Sequence, residues 1–204
     1  MIVELRQYTL HPGRRDTLIE LFDREFVESQ EACGMRILGQ FRDLDDPDRF
    51  VWLRSFDTME ARADALAAFY YGPVWKEHAA AANATMIDSD NVLLLRPSTG
   101  VVPTPPGPRP AAGATEVPAS VFVATIDYFD RPYTGKVSDS WLQTEYAENT
   151  FPGLPVRTGE HALVRIRRFG NLAAADASRE PDPGQPSLRT ERLRLSPTAR
   201  SVLR

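Results

Sequence analysis

The sequence predicts an α+β protein built from two tandem units, each with the element order βαββαβ. Three observations predict it. The first 96 residues switch between period-two and period-3.6 apolar patterns in that order. A proline-rich stretch then interrupts the chain of 204 residues. After the interruption, three segments echo the first part in the same order.

Each element has its own signal. Ile2–Leu10 alternates as a strand, with Val3, Leu5, Gln7 and Thr9 on one side and Ile2, Glu4, Arg6, Tyr8 and Leu10 on the other. His11-Pro12-Gly13 breaks it. Residues 14–32 read as a helix, because Leu18, Ile19, Phe22 and Phe26 recur at helical spacing. Gly34 stands where a helix C-terminal glycine belongs. Met35–Phe41 and Phe50–Phe56 are the second and third strands, joined by the acidic turn from Asp43 to Asp48. A helix follows from Thr58 to Phe69, and another starts at Pro73. Asn91–Arg96 is the fourth strand. Residues 1–97 are therefore expected to form a ferredoxin-like repeat.

Residues 97–118 hold seven of the 17 prolines, and their only charges are Arg109 and Glu116. Such a stretch cannot bury a core face, so 98–118 is read as a linker. Residues 119–204 are read as an eroded second repeat. Without gaps, Val3 and Tyr8 lie over Val123 and Tyr128, Phe50–Phe56 over Leu163–Phe169, and Val92–Pro97 over Arg192–Pro197. In this copy the first helix shrinks to about 139–148, and Leu154-Pro155-Val156 is a poor second strand. Two such units can pack their sheets face to face into an α/β barrel closed within one chain, with homodimerisation of whole barrels also expected. Val3 and Leu5 are then expected against the helices, and Glu4, Arg6 and Tyr8 in the space between the sheets.

Composition excludes several function classes. The net charge is −4 and the pI about 5.5, which argues against nucleic-acid or anionic-membrane partners. No apolar run approaches the roughly 20 residues of a membrane span. Charges in Met1–Arg6 interrupt what would be the apolar core of a signal peptide, so a soluble, cytoplasmic protein is expected. A single cysteine, Cys33, excludes an internal disulfide framework and reads as a small buried hydrophobe. His11 and His161 read as exposed, and the three dispersed histidines show no metal-ligand spacing. The aspartate-rich turn lacks the glycine and distal glutamate of a calcium loop and reads as solvated. No metal and no cofactor is expected.

The run Glu4–Gly13, with Gly34, Gly39-Gln40-Phe41, Trp52 and Pro73-Val74-Trp75, resembles the NIPSNAP family within the dimeric α/β-barrel superfamily. The resemblance is specific over residues 1–96 and loose over 119–204. It implies the barrel architecture. The superfamily's activities include cofactor-free monooxygenases, polyketide cyclases, lactone isomerases and haem-binding enzymes, and a shared fold does not select among them.

The candidate site follows from strand parity. Glu4, Arg6 and Tyr8 share a face, and Arg54 shares one with Trp52 and Phe56. Read as chemistry, this is an acid/base carboxylate, a guanidinium and a phenol donor for a developing oxyanion. Read as structure, it is an internal ion pair with a tied core aromatic. Trp75 and His78 share a helix face, with Tyr70 and Tyr71 just before them. His78 is a candidate general base or haem ligand, or else a surface histidine beside a core tryptophan. Catalytic roles thus fall to His78, Tyr8, Arg6 and Glu4, and substrate contacts to Arg54, Trp52, Trp75 and Tyr71. Ser140-Trp141 and Asn149–Pro155 are candidates for a lid over one barrel end. Three functions compete: a cofactor-independent cyclase, isomerase or oxygenase acting by proton transfer on a small carbonyl-bearing metabolite; a small-molecule or protein binding module; and a haem-handling protein.

Overall fold

The computed structural model describes residues 1–99, 107–136, 141–180 and 182–204. Eight antiparallel strands close a barrel in the order β1-β3-β2-β8-β5-β7-β6-β4. They are β1 Ile2–Leu10, β2 Arg36–Asp43, β3 Arg49–Phe56, β4 Met86–Pro97, β5 Val121–Phe129, β6 Trp141–Thr144, β7 His161–Phe169 and β8 Arg189–Pro197. β1 pairs with both β3 and β4, and β5 pairs with both β7 and β8. The two halves join where β2 meets β8 and where β4 meets β6. The second strand of each half thus zips onto the fourth strand of the other. Among the described residues no helix is long and apolar enough to cross a membrane.

The larger helices cover the first half, and one short helix, Leu172–Asp176, packs on β5 and β7. α1 Arg15–Leu21 and α2 Val27–Ala32 flank a π-helical turn, Phe22–Phe26. The expected single helix therefore carries an extra-wide turn, which sets Phe22 and Phe26 on the same aromatic cluster. The residue after its C-terminus, Gly34, has φ +94°, a left-handed conformation that a side chain would strain. α3 Met59–Tyr70 is capped by Thr58, whose hydroxyl accepts from the Ala61 amide at 3.1 Å. α4 Pro73–Asn83 begins with the helix-compatible φ of Pro73. The close turn between them is made at Gly72, where a Cβ would meet the Ala68 carbonyl at 2.6 Å.

Three expectations are corrected. First, the faces of β1 are reversed. Val3 and Leu5 point into the barrel, against Phe41, Leu53, Phe122 and Ile126. Ile2, Tyr8 and Leu10 face the helices, with Phe22, Phe26 and Leu66. The barrel interior is thus an apolar core, and Glu4, Arg6 and Tyr8 lie between sheet and helices. Second, the segment expected as a helix over 139–148 contains strand β6 instead, and no strand forms at 154–156. The first residues of that expected helix, and Ser140, lie outside the described residues.

Third, the second half is offset by one residue from the ungapped match. Phe56 and Phe169 pair with Ile2 and Val121, and Leu95 and Leu195 pair with Val3 and Phe122. The counterparts of Glu4, Arg6 and Tyr8 are therefore Val123, Thr125 and Asp127, not Ala124, Ile126 and Tyr128. A one-residue slip changes the face, so Tyr128 joins the barrel core.

Smaller features also differ from expectation. Asp43 is buried and takes an ion pair from Arg49 at 3.2 Å, instead of lying in a solvated turn. His161 is half-buried, with its Nδ1 2.9 Å from the Tyr146 hydroxyl. Cys33 is only partly buried. In the proline-rich segment, Arg109 ties the chain down. It donates to the Ile37 carbonyl at 2.6 Å, to Glu31 at 2.7 Å and to the Arg200 carbonyl at 2.9 Å.

Candidate functional site

Glu4 is the hub of the sheet–helix layer. It faces Arg54 directly across the β1–β3 ladder. Its Oε2 accepts from Arg6 Nη1 and Arg54 Nε, both at 2.8 Å, and its Oε1 accepts from Arg62 Nε at 2.6 Å. All four side chains are at most 1% exposed. Burial opposes ionisation of Glu4, but Arg54, Arg6 and Arg62 outweigh it and hold the carboxyl well below the usual carboxylate range. Glu4 is therefore a fixed anion. Arg54 also reaches the Gln30 side-chain carbonyl at 3.0 Å, and Arg62 the Asn149 side-chain carbonyl at 3.0 Å.

Arg6 links this hub to Tyr8. Its Nε donates to the Tyr8 hydroxyl at 3.0 Å, while Nη2 makes only a long 3.5 Å contact to the Ser89 carbonyl. The guanidinium lies near the rings of Tyr8 and Trp52, with its central carbon 5.4 and 5.5 Å from their centroids. Burial pushes the Tyr8 phenol above its ordinary value, although Arg6 pulls it back. Tyr8 thus keeps its proton at neutral pH and can donate it.

Arg6 and Tyr8 line one wall of a cleft of about 370 Å³. Tyr70, Tyr71 and Trp75 form a second wall, and Met86, Ser89 and Asp90 border it from β4. The roof comes from the second half of the chain. Phe151, Gly153, Leu154 and Pro155 close over it, with the Phe151 ring 6.1 Å from Tyr70 and 6.0 Å from Tyr71. Asn149 anchors this segment, accepting from Arg62 and donating to the Leu154 carbonyl at 2.9 Å. The stretch 149–155 is therefore a cover over the helix side of the sheet, not over a barrel end. Beneath the cleft lies a chamber of about 30 Å³ bounded by Phe22, Phe26, Trp52 and Phe69 among others. The Trp52 indole N–H is buried there without a hydrogen-bond partner among the described residues. A larger hollow of about 460 Å³ lies within loop 144–160, but none of the four buried hub side chains borders it.

Four of the eight candidates meet at the cleft: Arg6, Tyr8, Trp75 and Tyr71. Glu4 and Arg54 sit behind it as the charged hub, and Trp52 sits beneath it. His78 is not in the cleft lining; its Nε2 lies 3.5 Å from Glu25, beside the Phe26 ring. Sequence reasoning missed Arg62 and Asp90, and it assigned Phe151 to a lid but over a barrel end. Arg62 carried a signal, because it occupies the helix face of Ala65, Leu66 and Phe69, where an apolar residue is the norm.

A family model described as NIPSNAP matches residues 3–99. No curated protein sequence matches the chain. Among solved structures, a NIPSNAP-like domain protein from Burkholderia xenovorans is 27% identical, with a TM-score of 0.46 over 53% of this chain and 95% of that one. A NIPSNAP family protein from Agrobacterium tumefaciens is 18% identical, with a TM-score of 0.44 over 48% of this chain and 92% of that one. A putative monooxygenase from Fusobacterium nucleatum matches almost end to end, with 97% of this chain and 92% of that one covered. Its TM-score is 0.55 at 8% identity, which is a likeness of fold alone.

Proposed function

For a chain whose residues 3–99 match the NIPSNAP family model, we propose an enzyme that moves a proton on a small carbonyl-bearing metabolite in the covered cleft. The observation that carries this reading is the Arg6–Tyr8 pair on the cleft wall, a fixed cation and a protonated phenol side by side. A carbonyl oxygen placed there gains negative charge as a neighbouring C–H is deprotonated. Each well-placed donor to such an oxyanion is worth about 3–4 kcal/mol. Asp90 is the carboxylate on the cleft lining and takes the proton in this reading. The aromatic walls of Tyr70, Tyr71, Trp75 and Phe151 hold a flat, largely apolar body. The resulting enolate is the common entry to isomerisation and cyclisation, and the step needs only side chains.

The test is exchange of the α-hydrogens of phenylacetone in D2O, followed by proton NMR. The protein accelerates exchange, and Tyr8→Phe and Asp90→Asn each lower that acceleration by about tenfold or more. Absence of acceleration by the unaltered protein overturns the reading.

A further inference from the structure

Three guanidiniums and one carboxylate make up the buried hub, so Arg6, Arg54 and Arg62 outnumber Glu4 by two positive charges. Buried charges are normally matched, since an unmatched one forfeits its hydration. Among the described residues the only carboxylate on the cleft lining, Asp90, is solvent-exposed and screened, so it does not match them. Valences are left open as well. Arg54 Nη2 and Arg62 Nη2 are buried with no hydrogen-bond partner among the described residues. On the cleft wall itself, Arg6 Nη2 has among the described residues only its 3.5 Å contact to the Ser89 carbonyl. The Tyr8 hydroxyl accepts from Arg6, and among the described residues no acceptor takes its proton.

We infer that the cleft is completed by an anionic ligand, an oxo acid whose carboxylate sits on Arg6 Nη2 and whose keto oxygen accepts from Tyr8. This rests on the cleft being a ligand site, and it adds the charge and functional-group class of that ligand. The carboxylate neutralises part of the hub's excess, so binding and the field of all three arginines act together. The aromatic walls take the remainder of the molecule.

The probes are phenylglyoxylate and phenylglyoxylamide, which share a carbon frame and ketone and differ by one charge. Neither has a hydrogen α to the ketone, so neither can turn over by enolisation. Isothermal titration of the full chain at low salt gives a Kd at least about tenfold lower for the acid than for the amide. Arg6→Gln, if circular dichroism shows it folded, erases the preference; if it does not fold, the comparison in the unaltered protein decides alone. Equal or tighter binding of the amide overturns the inference and leaves the cleft a ligand site. Failure of both probes to bind at about 10 mM also overturns it, and the cleft reading falls with it only if phenylacetone exchange is absent too.

Discussion

Arg6 and Tyr8 sit two residues apart on β1, and the Arg6 Nε–H donates to the Tyr8 hydroxyl at 3.0 Å inside a fully buried layer. Strand geometry places them on one face, and the hub behind fixes the guanidinium from its other edge. With the Tyr8 oxygen already accepting from Arg6, its phenol proton is available to an acceptor in the cleft. Tyr8→Phe removes one acceptor for a buried donor, at a cost of about 1–3 kcal/mol. For a chain of this size, that lowers Tm by roughly 2–10 °C. Ligand-dependent rates fall further, by about tenfold or more. Thermal melts alongside the exchange assay separate the two effects; loss of stability with rates intact would make Tyr8 purely structural.

Glu4→Gln strips the counter-charge from three enclosed arginines. Breaking a buried ion pair from one side costs about 3–5 kcal/mol, and this variant is expected at the upper end. Acid should reproduce part of the effect. Glu4 has a depressed folded-state value, so its stabilisation is present above the ordinary carboxylate range and is lost as pH falls below it. Urea melts at pH 7 and pH 3.5 should show the parent losing stability on acidification more steeply than the variant does.

Asp23 behaves in the opposite sense. Burial raises its carboxyl to about 6, although Arg200, Gln40 and Arg109 oppose the shift. The folded state therefore binds this proton more tightly than the unfolded chain does. Its contribution is favourable below the ordinary value of 3.8 and is lost as pH rises through about 6. Asp23→Asn is expected to stabilise the protein by about 1–3 kcal/mol at pH 7.5, with the gain shrinking toward pH 4. Denaturant melts at the two pH values check the sign.

Phe151→Ala removes the ring that leans on Tyr70 and Tyr71. The cover then no longer shields the cleft wall, where Trp75 is half-buried. Acrylamide quenching of tryptophan fluorescence should rise, since Trp52 stays sealed, Trp141 packs on Phe129, Tyr133 and Leu163 away from the cleft lining, and the change reports on Trp75. The stability cost should stay below about 2 kcal/mol, because the ring is only partly buried. Unchanged quenching would show that residues 149–155 do not guard this wall.

The strands and helices of the first half were legible because period and punctuation agree at each element. The face of β1 was not. Alternation divides Val3 and Leu5 from Glu4, Arg6 and Tyr8, but both faces of this sheet are buried, one by helices and one by the opposing half. Polarity alone cannot say which is which, and the deciding partner, Arg62, arrives from a helix 58 residues away. The second half misled for a related reason. Its ungapped match aligned Tyr8 with Tyr128, yet the ladder register makes Asp127 the equivalent. The missing first helix was hidden because Trp141–Thr144 is too short to show a period. The π-helical turn has no signature that composition carries, since Phe22 and Phe26 fit an ordinary helix equally well.

The cover borrowed from the second half has a genetic consequence. When two identical chains build a barrel, any change that turns one copy's helix into a roof does the same to the other copy. Both recesses would lose their walls together. A fused pair escapes that constraint, since each half mutates alone. Here the first half lines the cleft and the second half supplies its roof, so the proposed reading expects one ligand per chain. Reverting to two free copies would restore symmetry and leave neither recess with its roof.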